Sequence, residues 1–397
     1  EKLFADAPLR ARLSERGRKL FDGRGCFRVI DALLDASERR KSMKQSFEIF
    51  GKRVGAGARC FVIAEAGSNH NGSRELALRL IDTAADAGAD AVKFQTFEAK
   101  RLYPRSAGKS DYLHDETPIF DIIKAMEMPI EWLPALRDHA HERGLAFISS
   151  PFHEEAVELL NPFVDAFKIA SYEITHEPLL RAVAARKKPV ILSTGAATIA
   201  ETEAAVSALK NAGCDELIVL QCTASYPTPP EAANVRALVT LRDALGVPTG
   251  LSDHTRDPCV APMVAAALGA AAVEKHFTLS NRLPGPDHAF AVEPSELALL
   301  VRRVRDVETV GGSGLKDVQT VEEELRSFAR RSIFTTRPVL RGERFTRDNV
   351  DVLRQGKLDG GLPPSELERV LGSVAARDVS AEIALLDADL SPAEPSP

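Results

Sequence analysis

The sequence predicts an α/β protein, a closed (β/α)₈ TIM barrel followed by a small β-rich C-terminal domain, on three observations. Eight short runs rich in Val, Ile, Ala and Phe recur between residues 61 and 278. Amphipathic segments of helical period separate them. The runs are apolar at successive positions, which suits strands buried on both faces of a parallel sheet. Eight such units match a barrel filled inside by side-chain layers and covered outside by helices. A doubly wound open sheet is the structural alternative.

Taken in order, residues 1–57 form an N-terminal extension to which the sequence assigns no role, although residues 28–36 fit one amphipathic helix. With no continuous apolar stretch before a small-residue cleavage site, the extension does not read as a secretory signal. The barrel is expected over 58–312, with strands at 61–67, 91–97, 145–152, 166–173, 189–195, 217–223, 248–255 and 271–278. A typical intervening helix covers 74–87, where Leu76, Leu80, Ala84 and Ala87 share one face and Gly88 supplies the stop. Gly311-Gly312-Ser313-Gly314 follows a helix and no GK[ST] completes it, so 313–329 reads as a linker rather than a phosphate loop. Residues 330–390 carry short β-prone runs, at 332–336 and 377–379, and turn signals. The Pro- and Ser-rich end, 391–397, is expected to be disordered.

Composition narrows the function classes. A chain of 397 residues with 44% hydrophobic and 27% charged residues is globular rather than disordered or fibrous. Lys and Arg number 51 against 57 Asp and Glu, a net charge of -6, so no global electrostatic case for nucleic acid exists. Apolar stretches fall short of the ~20 residues a membrane helix needs. The five cysteines form no CxxC pair and read as reduced thiols of a cytoplasmic protein.

The expected strand ends are unusually polar, and in a parallel barrel such side chains meet in one mouth. They comprise Glu65 with Ser68-Asn69-His70, Lys93 and Gln95, Ser149-Ser150, Lys168 with Ser171 and Glu173, Ser193-Thr194, Gln221 to Thr223 with Tyr226, Ser252-Asp253-His254, and Glu274-Lys275-His276. Two lysines in otherwise apolar strands would bury charge at a cost of several kcal/mol unless it is paired. Either a phosphorylated or carboxylated ligand meets Lys93 and Lys168, or they pair with Glu65 and Glu173. Serines 150, 171, 193 and 252 add hydroxyl donors suited to phosphate oxygens. His254 and His276 end neighbouring strands, so their imidazoles suit one cation in an open site, Mn²⁺ or Mg²⁺ rather than structural zinc. Cys222 lies close by without an activating motif and reads as a packed thiol.

These residues also carry a resemblance. The strings FVIAEAGSNHNG (61–72), AVKFQ (91–95), FKIAS (167–171), ILSTG (191–195), GLSDHT (250–255), EKHFT (274–278) and GPDH (285–288) resemble the sialic acid synthase (N-acylneuraminate synthase) family. The resemblance covers nearly everything from Phe61 to Leu390, and its end, from Arg330, is similar to the antifreeze-like (SAF) domain of those enzymes. It implies condensation of phosphoenolpyruvate with an N-acylated mannosamine-type sugar, giving a nine-carbon 2-keto sugar acid and phosphate, with N-acetylneuraminate as the first expectation. A legionaminic or pseudaminic acid synthase, using a 2,4-diacetamido-2,4,6-trideoxyhexose, is the alternative within the family. By the same resemblance Lys93, Ser150, Lys168, Ser171, Ser193 and Ser252 hold phosphoenolpyruvate, and His254 and His276 hold the metal, Mn²⁺ first. Glu65, Gln95, Glu173, Tyr226 and Asp287 then face the sugar or the attacking water, with Glu65 the candidate base. Arg354 would reach the sugar of the partner subunit in a domain-swapped homodimer. There the family motif Arg-Pro-Gly stands as Arg354-Gln355-Gly356, which leaves the rigidity of that turn open. The pocket that distinguishes one sugar from another is expected in loops such as 102–118.

Two other classes compete. Barrel aldolases also place a lysine in the mouth, and Lys168 would serve for a Schiff base; insensitivity to chelator would mark that chemistry. A carbohydrate-binding protein with an inert barrel would have little use for two lysines and two histidines at one mouth.

Overall fold

The computed structural model describes residues 43–109 and 116–393. The candidate helix at 28–36, the centre of the 102–118 loop and the end of the 391–397 tail lie outside the described residues. The chain divides into two compact units, Glu1–Gly312 and Ser313–Pro397.

The first unit is the barrel. Its eight strands are β3 (Phe61–Gly67), β4 (Ala91–Thr96), β5 (Ala146–Pro151), β6 (Ala166–Ile169), β7 (Val190–Ser193), β8 (Leu217–Cys222), β9 (Thr249–Asp253) and β10 (Ala272–His276). They pair in sequence order, all parallel, and β10 closes on β3. Helices between them cover the outside, for example Arg74–Asp86, where the Ser73 side chain caps the Leu76 N–H. Gly88, at φ +80°, takes the left-handed conformation that ends the helix cheaply. One expected strand is shorter than its apolar run: β6 stops at Ile169 because the Glu173 N–H bonds the Ala170 carbonyl at 3.0 Å, winding Ser171–Thr175 into a 3₁₀ turn.

Strand periodicity sorts the barrel into layers. Ala64, Val92, Phe94, Phe147, Phe167, Leu192 and Val219 face the helices. Phe61, Ile63, Ala91, Ala146, Ile148, Ala166, Ile191, Ile218 and Leu220 form the inner apolar layer. Part of the N-terminal segment completes this layer. Residues within the expected 1–57 extension form a hairpin, β1 (Ser46–Ile49) with β2 (Lys52–Gly55), whose Phe47, Ile49 and Val54 pack among the first residues of the barrel strands. Its two-residue loop, Phe50-Gly51, holds φ +49° and +69°, which twists as a strand pair does. Phe50 offsets the cost of that conformation by stacking on His141, with ring centroids 4.2 Å apart. Phe47→Ala should therefore lower barrel stability by about 3 kcal/mol or more, as for other buried Phe truncations, read as an earlier denaturant midpoint.

The second unit builds its own core from Ile333, Val339, Phe345, Val350, Val370 and Leu385. Two antiparallel pairs frame it, β11 (Arg331–Thr335) with β12 (Val350–Arg354), and β13 (Ser373–Ala375) with β14 (Leu390–Pro392). The expected run at 377–379 reduces to one bridge, Val379 to Val339, because Asp378 turns aside to accept the Arg341 N–H. No described helix is long and apolar enough to cross a membrane.

Candidate active site

Moving two residues along each strand from the inner apolar layer reaches the polar mouth. Ile63 leads to Glu65, Ala91 to Lys93 and Gln95, Ile148 to Ser150, Ala166 to Lys168, Ile191 to Ser193, and Ala272 to Glu274 and His276. Register then sets neighbours side by side: His276 beside Glu65, Glu65 beside Lys93, Gln95 beside Ser150, and Ser252 beside Glu274. A bulge between Glu65 and Gly67 shifts the strand end. Gly67, at φ +53°, keeps its backbone close to the Asp287, Glu65 and Gln95 side chains, where a Cβ would press at 3.3 Å on Asp287 Oδ2.

The charges form a connected set. Lys93 Nζ lies 2.8 Å from Glu65 Oε2 and 3.6 Å from Glu274 Oε1, and Lys168 Nζ lies 3.8 Å from the same Glu274 oxygen. Gln95 donates to Glu65 Oε1 at 2.7 Å, and Ser252 donates to Glu274 at 3.4 Å. Burial opposes the ionisation of Glu274, but Lys168 and Lys93 outweigh it and hold the carboxyl below its ordinary range. Burial wins at Glu65 and pushes it up despite Lys93, the disposition of a base that accepts a proton. The expected Lys168 to Glu173 pair does not form, because Glu173 stands on the 3₁₀ turn past the strand; Glu274 takes both lysines instead.

Unused hydrogen-bonding groups crowd this mouth. Ser150 Oγ, Ser193 Oγ, Glu274 Oε2 and His276 Nδ1 are buried with no hydrogen-bond partner. Lys168 Nζ spends one donor on the Ile169 carbonyl, at 3.2 Å. Buried donors left open at a strand end call for a ligand with several acceptor oxygens. Ser171 is placed differently from the other serines, since its Oγ already accepts the Gly195 N–H at 2.9 Å and contacts Cys222 Sγ at 3.5 Å.

The two histidines meet, with ring centroids 5.3 Å apart. His254 Nδ1 lies 2.9 Å from the Thr223 carbonyl, which puts the proton there and turns the Nε2 lone pair outward. Cys222 Sγ, 3.8 Å from the same nitrogen, makes the weaker contact. Burial, His254 and Lys93 hold the His276 imidazole far below its usual range, so it stays neutral. Two adjoining rings, of which His276 is neutral with an unpartnered Nδ1, suit a divalent cation. Among the described residues no third His, Cys, Asp or Glu joins them in a metal-binding group, which leaves further positions to water or substrate.

Tyr226 and Asp287 belong to the same constellation. The Tyr226 ring lies 4.2 Å from that of His254, and Asp287 Oδ2 lies 3.8 Å from His276 Nδ1. Burial and then Glu65 raise Asp287 to about 6. Sequence reasoning placed Glu274 at a polar strand end, two residues before His276 on the same strand face, without giving it a role, and it missed one member. Phe290, 5.2 Å from the His276 ring, sits on a loop with no periodicity to reveal it.

Other polar strand-end residues are structural. Asp253 and Lys275 alternate out of the mouth and pair at 2.6 Å. His70 is buried against Trp132, and its Nδ1 accepts the Gly72 N–H at 3.1 Å. Burial pulls this imidazole down to about 4. A His with a depressed folded pKa contributes stability above its unfolded pKa of 6.5 and loses it as pH falls toward 4. His70→Gln should remove about 2 kcal/mol from the stability difference between pH 7 and pH 5, read from denaturation curves at both.

Arg354 belongs to the second unit, exposed at the end of β12. The turn after it is held without proline: the Gln355 N–H donates to the Arg330 carbonyl at 3.1 Å and Nε2 to that of Ser327 at 2.7 Å.

A closed parallel barrel with buried lysines, open hydroxyls and paired imidazoles at its carboxyl end has the architecture of a (β/α)₈ enzyme. The chain belongs to the NeuB family, whose model matches residues 80–316, and a SAF domain follows at 330–391. It is 40% identical to the spore coat polysaccharide biosynthesis protein SpsE of Bacillus subtilis over 87% of this chain and 97% of that protein. The N,N'-diacetyllegionaminic acid synthase of Legionella pneumophila is 38% identical, over 84% of this chain and 96% of that one. The crystal structure of N-acetylneuraminic acid synthetase from Leptospira borgpetersenii superposes with TM-score 0.65 at 34% identity, covering 72% of this chain and 96% of that one. The chain is therefore a sialic-type acid synthase by family, and the relatives favour the diacetamido alternative over the N-acetylneuraminate expectation.

Proposed function

We propose that this barrel condenses phosphoenolpyruvate with the open-chain aldehyde of a 2,4-diacetamido-2,4,6-trideoxyhexose, releasing phosphate and a nonulosonic acid of the legionaminic or pseudaminic type. The observation that carries the reading is the set of unpartnered buried donors, Ser150 and Ser193, beside Lys93 and Lys168. These groups bind the phosphate and carboxylate of phosphoenolpyruvate, with Ser252 and Ser171 completing the wall. His254 and His276 would hold a divalent cation, Mn²⁺ or Mg²⁺, which supplies Lewis-acid polarisation of a carbonyl oxygen. Carbon 3 of phosphoenolpyruvate bonds to the aldehyde carbon, water adds at carbon 2, and the carbon–oxygen bond to phosphate breaks. Glu65, held by Lys93 and Gln95, takes the proton of that water, while Asp287 and Tyr226 orient the sugar. The same reading gives Arg354 to the sugar site of a second copy; mixing Arg354→Ala with His254→Ala chains under subunit exchange should restore activity.

Phosphate release from phosphoenolpyruvate across a panel of acylated hexosamines tests the substrate. The diacetamido sugar should give the highest kcat/KM. A higher value with N-acetylmannosamine would return the first expectation to favour.

A further inference from the structure

At the rim of the same barrel end, a cavity of about 480 Å³ is lined by Arg101, Leu102, Phe152, Glu155, Glu173 and His176, among others. That volume falls within the range of sites that take small molecules. Phe152 lies two residues past Ser150 and Glu173 two past Ser171, so the cavity adjoins the mouth through the same two strand ends. The mouth's charges and imidazoles account for the reacting end of the sugar. They leave this space unexplained.

The lining disfavours an anionic ligand, since Glu154, Glu155 and Glu173 stand against one permanent cation, Arg101. Arg101, the permanent cation, is already hydrogen-bonded to Glu155, so no free positive charge faces an anion. Glu173 is buried, and among the described residues no group donates to its carboxylate. Burial raises its pKa, outweighing the nearby His176. His176 accepts the Leu179 N–H on Nδ1 at 3.1 Å, so the neutral ring carries its proton on Nε2 as a donor. Beside His153, Glu154 and the Arg101–Glu155 pair, the lining offers Glu173 as acceptor, His176 as donor and the apolar surfaces of Leu102 and Phe152, a set that matches a secondary amide bearing a methyl group.

Resting on the synthase reading above, we propose that this cavity is the specificity subsite for the acylamino group at carbon 4 of the sugar. Glu173 accepts the amide N–H, His176 Nε2 donates to its carbonyl, and Leu102 with Phe152 receives the acetyl methyl. A sugar with a bare hydroxyl at that carbon reaches the same groups with fewer contacts and leaves a buried partner unsatisfied.

The test measures equilibrium binding, in the presence of phosphoenolpyruvate and Mn²⁺, of two unreactive sugar alcohols. They are reduced 2,4-diacetamido-2,4,6-trideoxymannose and reduced N-acetylmannosamine. Wild-type protein should prefer the first by about tenfold or more, the scale on which a hydrogen-bonded pocket discriminates. Glu173→Ala and His176→Ala should each erase most of that preference, and Leu102→Trp, which fills the cavity without removing a helix cap, should do so while the mono-acetylated alcohol still binds. Equal binding of both alcohols to wild type, or an unchanged preference in the folded variants, overturns the subsite and leaves the synthase reading intact. If neither alcohol nor phosphoenolpyruvate binds wild type, the synthase reading itself fails and the subsite with it.

Discussion

Replacing His254 or His276 with Ala should cut turnover by about a thousandfold or more, on the order of 4 kcal/mol of transition-state stabilisation. The two rings lie 5.3 Å apart, and neither can be replaced from nearby, because the described residues offer no third ligand in a metal-binding group. Their hydrogen bonds differ, which makes the pair more informative than either alone. His254 is fixed through the Thr223 carbonyl, so Asn, which retains a donor at a similar reach, should rescue little, since the lone pair facing outward is lost. Mn²⁺ titration of the metal-stripped proteins separates the causes: weaker Mn²⁺ binding marks a lost ligand, whereas unchanged binding with lost turnover marks an orienting role. Full activity of either Ala variant in chelator would remove the cation from the mechanism.

Lys168→Met should raise the KM for phosphoenolpyruvate about thirtyfold, equivalent to the ~2 kcal/mol of a charge-assisted bond to a desolvated anion. Lys93→Met should act at least as strongly, because Lys93 also holds Glu65 at 2.8 Å. Both substitutions leave Glu274 buried with half of its positive partners, so some loss of stability accompanies the loss of affinity. Glu274→Gln in the Lys168→Met background should restore stability without restoring affinity, which separates the two effects. Burial lowers the Lys168 pKa, a property that imine-forming lysines share. Borohydride with a keto acid should nevertheless trap nothing on Lys168, and a trapped adduct would favour an aldolase.

The barrel was legible because its strands are apolar on both faces and its helices are amphipathic, so both periods stand out. The mouth was legible for the same reason: polar residues at alternate positions near a strand end have only the interior to enter. Glu173 shows the limit. Its place in an apolar run suggested a strand residue able to pair with Lys168, yet a single backbone bond to Ala170 ended the strand four residues earlier. The hairpin at 46–55 was missed because its signal, Phe50-Gly51, depends on a left-handed Phe that stacking on a distant His141 stabilises. Asp287 and Phe290 come from a loop without periodicity: the GPDH string carried Asp287 by resemblance, whereas only contacts reveal Phe290.

The most direct measurement uses phosphoenolpyruvate labelled with ¹⁸O at the oxygen joining carbon 2 to phosphorus. Wild-type protein with Mn²⁺ and the diacetamido sugar should yield phosphate and a nine-carbon 2-keto acid in equal amounts, with the label in the phosphate. Label retained in the keto acid, or sugar consumed without any phosphate release, would contradict a condensation that proceeds through water addition at carbon 2 in this mouth.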